Sequence, residues 1–329
     1  MRNFLKTTTC LGSIALLAAC GSSADNTPNI DAAEEALRVF SVGTGDAKDV
    51  FAELDGTLYA RKAGTAAMEL DYVEGVSGLT NAEVSVFRNS NDEFTLVVNG
   101  VEHVFETANR ENDFGYSIED EENGIFVFAG SEEGELDQFL NNESGSGYSM
   151  VMTYQTNLVN DPGPDVRGYA VFGTETADAD VGTLSELTYS GRAKLDVYPE
   201  VGFVNNSTSR TRVRFDDVTM SVNLASNEIS GVMDDIGVRD PGEEDFVYYE
   251  GTVSMDPAAF DVNAFGGTLT SSDTLLANAP QLDIGGTASY SGAFYGVAGE
   301  EAAGTLTVSG TGEDGALNGV GFFSVNSYD

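Results

Sequence analysis

Residues able to perform catalysis are scarce in this chain. It contains one histidine, His103, and two cysteines, Cys10 and Cys20, among 329 residues. A zinc site built from His and Cys needs three or four such ligands, and a cysteine nucleophile needs a base beside it. His103 shares a predicted strand face with Val101 and Phe105, which is typical of a structural histidine. We therefore expect no catalytic residue, no metal and no cofactor.

The other reactive side chains are carboxylates, of which there are 54. Paired carboxylates hydrolyse glycosides, and clustered oxygen ligands bind calcium. The candidate calcium loops are 178–182 and the acids from Asp234-Asp235 to Glu243-Glu244-Asp245. With so many acids, adjacency alone selects no catalytic pair, and solvated acidic loops are the favoured interpretation. The glycines of 43–48 lack the spacing of a phosphate-binding loop.

Cys20 stands in a context that predicts a different chemistry. The chain starts with Arg2 and Lys6, continues with an apolar run over 11–17, and reaches Leu17-Ala-Ala-Cys20. This is the anatomy of a secretion signal, and the run is too short to cross a bilayer. The ending resembles the bacterial lipobox, so we predict a lipoprotein signal peptide over 1–19 and a lipid anchor on Cys20. Several acyl chains would tether the protein permanently. Gly21 favours the outer membrane, and the sequence leaves open whether the protein faces outward or towards the periplasm.

The charge of the chain excludes one class of partner. Without residues 1–19 the chain has 13 basic and 54 acidic residues, a net charge of −41. A field of this sign repels nucleic acids and anionic lipid surfaces. The acylated Cys20 is then the only expected contact with the bilayer. No thiol would remain after processing, so stability must come from buried surface.

The pattern of apolar residues predicts an all-β fold in two parts. Residues 20–30 are small and polar, as in a flexible tether, and Asp31-Ala-Ala-Glu34 predicts a short helix. The first part, 31–160, is predicted to be a handle-like domain of antiparallel sheet. It includes a hairpin whose strands flank Asn99-Gly100. The prolines and glycine of 161–165 mark the boundary.

The second part, 165–329, is predicted to be a closed, water-soluble, antiparallel barrel of eight strands without helices. Glycines separate its short strands, one of which is expected over 246–255. Apolar residues change parity between Phe215 and Val218, which predicts a β-bulge at Asp216-Asp217. The outward positions include charged residues, which excludes a lipid-facing exterior. They are Lys194, Asp196, Arg212, Arg214 and Glu250.

Seven residues near the end of the chain carry a family resemblance. They are Gly292, Phe294, Tyr295, Gly296, Glu300, Glu301 and Gly304. This spacing resembles the closing signature of the transferrin-binding protein B barrel superfamily, and 172–176 and 187–191 look like its first two barrel strands. The resemblance implies a lobe that consists of a handle followed by a barrel. A chain of this length has room for only one such lobe. We expect Phe294 and Tyr295 to point to opposite faces of their strand.

The same resemblance implies a surface lipoprotein that captures an extracellular protein or solute, with iron acquisition as one use. The candidate contact loops are 161–167, 199–210 and 237–245. Tyr198, Phe203 and Arg210 are of the residue types that often anchor interfaces. Two alternatives stay open: a structural or adhesive surface protein without a defined ligand, and a secreted hydrolase using paired carboxylates. A carrier of small molecules inside the barrel would need an empty interior.

Overall fold

The computed structural model describes residues 51–327, with gaps. The gaps are 55–56, 61, 72–73, 89–93, 113–114, 121–124, 133–147, 159–164, 174, 177–186, 203–209, 262, 283–286, 297 and 313–314. Cys20, the tether and the helix predicted from Asp31 lie outside the described residues. Within them the chain is almost entirely antiparallel β-structure, so the predicted all-β class is confirmed.

In the part of the chain that the structure describes, the handle consists of twelve strands in two sheets. The strands are β1 (Phe51–Leu54), β2 (Thr57–Ala60), β3 (Lys62–Asp71), β4 (Val76–Thr80), β5 (Val84–Arg88), β6 (Phe94–Val98), β7 (Val101–Phe105), β8 (Arg110–Asn112), β9 (Gly115–Asp120), β10 (Ile125–Ser131), β11 (Ser149–Leu158) and β12 (Asp165–Gly173). The order is β1-β2-β5-β6-β7 in one sheet and β4-β3-β12-β11-β10-β9-β8 in the other.

The predicted hairpin between β6 and β7 is confirmed. Asn99 and Gly100 have φ of 51° and 79°, as a type I′ turn requires, and Val98 pairs with Val101. Apolar side chains of the two sheets share one core. Phe94 stacks on Phe105 with ring centroids 4.5 Å apart, and Tyr116 of the second sheet meets Phe94 edge-on at 4.8 Å.

The barrel consists of eight strands that close on themselves. They are β13 (Leu187–Pro199), β14 (Thr211–Asn223), β15 (Glu228–Arg239), β17 (Val253–Asp261), β18 (Ala264–Ser271), β19 (Thr287–Tyr295), β20 (Glu301–Gly312) and β21 (Gly315–Asn326). The order is β14-β13-β21-β20-β19-β18-β17-β15, and β14 pairs with β15 to complete the ring. The predicted closed eight-stranded antiparallel barrel is confirmed.

The barrel begins later in the chain than the sequence suggested. The expected boundary at 161–165 falls between β11 and β12, which pair with each other in the second handle sheet. The stretch 165–173 is therefore handle, and the first barrel strand is β13. β12 has buried side chains on both faces, because one face meets the other handle sheet and the other meets the barrel. Such a strand looks the same in sequence wherever both its faces are covered.

Two local features of the barrel also differ from expectation. A short helix, α1 (Asp273–Asn278), follows β18, with Ser272 as its N-cap. The single strand expected over 246–255 is divided into β16 (Val247–Tyr249), which pairs with β15, and β17. Gly251 separates them with φ of 123°, a conformation that a continuing strand does not adopt.

The bulge expected at Asp216-Asp217 is confirmed. The register of β13 against β14 shifts there, so that Arg192 faces both aspartates. Val213, Phe215, Val218 and other apolar residues of β14 consequently all point into the barrel. The interior is packed, and a cavity of only about 10 Å³ remains among Leu195, Phe215 and their neighbours. That volume is near the minimum for one water molecule, so this cavity is too small for an organic ligand.

The handle and the barrel share an apolar interface. Side chains from the second handle sheet and from the outer face of the barrel form one buried cluster. Its members are Ala66, Met68, Leu70, Val151, Tyr169, Val171, Tyr198, Ala293, Tyr295, Ala303, Val320 and Phe322. Burial of aromatic and aliphatic side chains at this scale stabilises one relative placement of the two parts.

Candidate functional site

The seven signature residues lie where the barrel meets the handle. Phe294 points into the barrel core and Tyr295 into the handle–barrel interface, both without solvent exposure. Gly292 and Gly304 pair across β19 and β20. A Cβ at Gly304 would lie 2.1 Å from the Ser291 carbonyl oxygen, so only glycine fits this approach. Gly296 has φ of 93° in the turn that leads to Glu300.

Glu301 joins the two parts by hydrogen bonds. Its carboxylate accepts from the Tyr148 and Ser149 amides at 3.0 and 2.8 Å and from the Ser149 hydroxyl at 2.8 Å. These donors stand at the start of β11 in the handle. Hydrogen bonds to an ionised acceptor are stronger than neutral ones. The signature residues are thus placed as structural elements of the junction.

Beside this junction lies a cleft of about 500 Å³, within the size range of ligand sites. Barrel strands β13, β14 and β15 form one wall, and handle strands β9 to β12 contribute to the other. Six basic side chains and three carboxylates line it, a formal surplus of three positive charges. The basic residues are Arg167, Lys194, Arg210, Arg212, Arg214 and Arg239, and the acids are Glu111, Glu132 and Asp196.

Side chains alternate between the inner and outer faces of the barrel strands, and the charged residues of the cleft occupy outer positions. On β13 and β14 the side chains of Leu195 and Val213 enter the core, so their neighbours face outward. In the cross-strand register Asp196 lies opposite Arg212, which in turn lies opposite Arg239. Lys194 lies opposite Arg214 in the adjacent row. The cleft wall is therefore a small lattice of charged residues on rigid strands.

Asp196 is the buried centre of one side of the cleft. Its Oδ2 lies 2.9 Å from Nη1 of Arg210 and 3.7 Å from Nη2 of Arg167, and it accepts a hydrogen bond from the Tyr169 hydroxyl at 3.1 Å. Burial raises the pKa of Asp196, while Arg167 and the Tyr169 hydrogen bond oppose the rise. Burial also raises the pKa of Tyr169, and the charge of Asp196 adds to this. The phenol therefore stays protonated and donates.

Aromatic rings fix two arginines at the opposite side. Phe246 lies between them, with its ring centroid 4.5 Å from Cζ of Arg214 and 4.8 Å from Cζ of Arg239. The Tyr248 ring lies 5.1 Å from Arg214 Cζ. Cation–π contacts of this kind orient the guanidinium plane. Tyr248 is itself exposed, so an aromatic side chain lies at the rim of the cleft beside Arg214.

The arrangement does not supply a free pair of catalytic carboxylates. Glu132 is paired with the ammonium group of Lys194, and Asp196 is paired with Arg210. A hydrolase needs one carboxyl group to protonate the leaving group and a second to act as nucleophile or base. Two of the three carboxylates are thus paired with neighbouring cations, and the third, Glu111, accepts a hydrogen bond from the Ser117 hydroxyl. The chemistry that the cleft does offer is the binding of negatively charged groups.

The residues proposed from sequence as partner contacts are only partly assembled. Arg210 lines the cleft, but Tyr198 is completely buried in the handle–barrel interface, where no partner reaches it. Phe203 lies outside the described residues, as do 161–164. The loop 240–245 is exposed and adjoins the cleft through Phe246.

Sequence reasoning did not bring the basic residues of the cleft together. Arg167 belongs to the handle, and Arg239 is not among the residues that the sequence predicts on the outer face of the barrel. The sequence does contain one sign of the cleft, which is the clustering of basic residues along the chain. All seven basic residues after position 110 lie between 167 and 239. Six of the seven line this cleft.

Among the described residues no three His, Cys, Asp or Glu side chains are grouped to hold a metal ion, and Asp178 and Asp180 lie outside them. In the same part of the chain, every helix falls short of the length and apolar character needed to cross a bilayer.

Comparison with known proteins gives a likeness of structure. The chain matches transferrin-binding protein B from Haemophilus parasuis with a TM-score of 0.42 and 17% identity, covering 80% of this chain and 44% of that one. The same protein from Neisseria meningitidis gives 0.41 and 17%, with coverages of 82% and 44%. The chain is similar to transferrin-binding protein B.

This chain spans less than half the length of those two proteins. A structure described as a surface lipoprotein matches with a TM-score of 0.37 and 15% identity, over 83% of this chain and 99% of that one. No protein-family model and no curated protein matches the sequence. At these identities the likeness concerns architecture and assigns no ligand.

Proposed function

We propose that this protein is a non-enzymatic, lipid-anchored binding protein of the outer membrane. It captures an extracellular protein or solute through the cleft between handle and barrel. The observation that carries the proposal is the surplus of positive charge in this cleft, on a chain whose formal net charge is −39. Iron acquisition is the use that the sequence resemblance implies.

Three features support capture over catalysis or a purely structural role. Two of the three carboxylates of the cleft, Glu132 and Asp196, are paired with cations. The cavity inside the barrel beside Leu195 has only about 10 Å³, which is too small for an organic ligand. Tyr248 is exposed and lies beside Arg214 at the rim of the cleft, whereas a coat protein without a ligand would present smooth polar loops. Together they favour a surface that recognises something.

The anchor is tested by changing Cys20 to Ala in the full chain. We expect the wild-type protein in the outer-membrane fraction, labelled by radioactive fatty acid, and the variant unlabelled and released in soluble form. Protease treatment of intact cells then reports whether the body faces outward. Unlabelled wild-type protein in the soluble fraction would overturn the anchoring part of the proposal.

Capture is tested on the full chain displayed by cells. Cells are exposed to the natural medium, and the protein is isolated in mild detergent and analysed by native mass spectrometry. We expect a bound mass on the wild-type protein that is absent from the double variant Arg212→Gln, Arg239→Gln. Identical spectra for the two proteins would contradict capture through this cleft.

A further inference from the structure

The barrel concentrates its few basic residues on one face. Between 187 and 329 there are six basic and 21 acidic residues. Five of the six basic residues line the cleft, and Arg192 lies next to it, donating to the Glu132 carbonyl oxygen at 2.9 Å. Acids are spread over the whole barrel, so the clustering of cations is a specific property of this surface.

The clustering places like charges opposite each other. Arg212 faces Arg239 across β14 and β15, and Lys194 faces Arg214 across β13 and β14. Like charges directly opposite in a sheet are destabilising. Acids are more than three times as numerous in this barrel, so opposite-charge pairing was available at both places. A local arrangement that costs stability is typical of a functional site.

Most of these cations already have a partner within the protein. Lys194 is paired with Glu132, Arg210 and Arg167 with Asp196, and Arg214 with Asp216 at 2.9 Å. The Arg214 contact is an ion pair and not an aligned hydrogen bond, because Nε of Arg214 lacks a hydrogen-bond partner.

Two arginines have no acidic partner among the described residues. Arg212 forms no ion pair with any of them. Arg239 likewise has no acidic side chain as partner there; it lies against the Phe246 ring and donates to the Glu244 carbonyl oxygen at 3.5 Å. A guanidinium group carries a planar fork of donors that matches the two oxygens of a carboxylate or phosphate. Arg212 and Arg239 are cross-strand neighbours that both line the cleft, so two such forks are available on the same wall.

A third observation points to the same wall. Nε of Arg210 is buried and has no hydrogen-bond partner among the described residues. The Arg210 side chain is only 8% exposed. A buried charged donor without an acceptor is costly, and Arg210 is one of the residues that line the cleft.

We propose that Arg212 and Arg239 bind the oxyanion group of a small organic polyanion, a polycarboxylate or a phosphorylated compound. This inference rests on the proposed function and names its ligand class. The surplus of three positive charges in the cleft matches a ligand of two or three negative charges. Phe246 holds Arg239 and Arg214 in place through cation–π contacts.

The surrounding charge selects for small ligands. The body of the protein is strongly negative, so it repels a long polyanion such as a nucleic acid over most of its length. A compact anion enters the cleft and meets only the local positive surplus. The acidic loop 240–245 beside Phe246 adds a negative border. The cleft therefore discriminates by the size of an anion as well as by its charge.

The test uses the full chain in detergent micelles and titration calorimetry with two probes, citrate and inorganic pyrophosphate, at physiological ionic strength. We expect one molar equivalent of at least one probe to bind the wild-type protein. Arg212→Gln and Arg239→Gln should each weaken binding about tenfold or more, the effect of losing a charge-assisted contact. The matched control Arg192→Gln removes the same charge from β13 outside the cleft, and its affinity should stay within about twofold.

Arg212→Lys tests whether binding requires the planar guanidinium donors or only the positive charge. It keeps the positive charge but loses the planar donors, so its affinity should fall at least severalfold. Full affinity in Arg212→Lys, or equal losses in the control and the cleft variants, would overturn the proposed geometry. Binding of citrate alone or pyrophosphate alone identifies the carboxylate or the phosphate as the preferred group.

A second measurement on the unaltered protein covers variants that do not fold. Hydrogen exchange of the wild-type chain should slow at 210–214 and 237–246 when the bound probe is present, and stay unchanged in β6 and β7. Absence of binding by both probes, or protection elsewhere only, would refute the inference. If neither probe binds but cells that display the chain still capture an extracellular protein, the inference fails and the proposed function remains supported.

Discussion

At the scale of single residues, the buried charges set the behaviour of the cleft. Asp196 pairs with Arg210 and lies 3.7 Å from Arg167, so one carboxylate offsets part of the charge of two cations in the wall. Arg212 and Arg239 form no ion pair with an acid among the described residues. The positive charge beside Asp196 is thus partly offset within the protein, whereas the charge of Arg212 and Arg239 must be offset by an external anion. We expect changes at Asp196 to affect stability and changes at the two arginines to affect binding.

Replacement of Asp196 by Asn tests the compensated half. The change removes the counter-ion of Arg210, whose side chain is only 8% exposed. Leaving a buried charge unpaired typically costs about 3–5 kcal/mol. We expect the free energy of unfolding, measured by urea denaturation, to fall by about 3 kcal/mol. The exposed Asp217→Asn on the same sheet should change it by less than about 0.5 kcal/mol; equal effects would contradict the role given to Asp196.

His103 provides a pH-dependent prediction. Burial lowers its pKa below the ordinary value of 6.5. As pH falls below about 6.5, the unfolded chain takes up a proton that the folded chain does not, so the free energy of unfolding decreases towards the folded-state pKa. In His103→Leu this contribution is absent. Between pH 7.5 and 5.5 we expect the unfolding free energy of the wild type to fall relative to that of the variant, as measured by denaturation. Parallel curves would show that the histidine does not titrate differently on folding.

At the scale of secondary-structure elements, the sequence predicts features that depend on neighbouring residues, such as turns and bulges. It does not predict where a strand that is buried on both faces is placed. Asn99-Gly100 required a tight turn, and the parity change after Phe215 required a bulge, because both depend only on neighbouring residues. The placement of β12 depends on which bodies cover its two faces. Both faces are apolar, so the sequence gives no sign of whether handle or barrel contains the strand.

The helix α1 and the cleft were missed for different reasons. Ser272 followed by Asp273 is a recognisable helix start, but only six residues follow, too few for a helical period to show. The outward positions of Arg212 and Arg214 were predictable from alternation. Their meeting with Arg167 and Arg239 depends on barrel closure and on docking of the handle, which local spacing does not encode.

Glu301 tests the link between the two parts. Changing it to Gln keeps one acceptor oxygen but removes the charge that strengthens its bonds to Tyr148 and Ser149. We expect a loss of about 1–2 kcal/mol in unfolding free energy, as for hydrogen bonds to charged groups. The exposed Glu228→Gln on β15 serves as control. No difference between the two variants in urea denaturation would mean that the junction does not depend on this carboxylate.

At the scale of the whole molecule, net charge acts in opposite directions on stability and on binding. The excess of acids destabilises the compact state by self-repulsion, which salt screens within about 10 Å at 0.1 M. Attraction of an anion to the basic cleft is screened by the same salt. A chain with 54 acidic and 15 basic residues should show both effects.

We therefore expect the melting temperature to rise and the probe affinity to fall as sodium chloride increases from about 50 to 500 mM. Thermal melting and calorimetry on the same samples measure the two trends. Sucrose at matched viscosity controls for general solvent effects. Affinity independent of salt would contradict a binding site made of exposed guanidinium groups.

The central claim, that the tethered protein works by binding at the cleft, is tested most directly by photo-cross-linking on living cells. A photoreactive phenylalanine analogue replaces Tyr248 at the rim, or Val101 on the distant handle hairpin, and cells are irradiated in their natural medium. The account predicts an added mass on the protein labelled at 248 and none on the protein labelled at 101. Absence of an adduct at 248, or equal adducts at both positions, would contradict it.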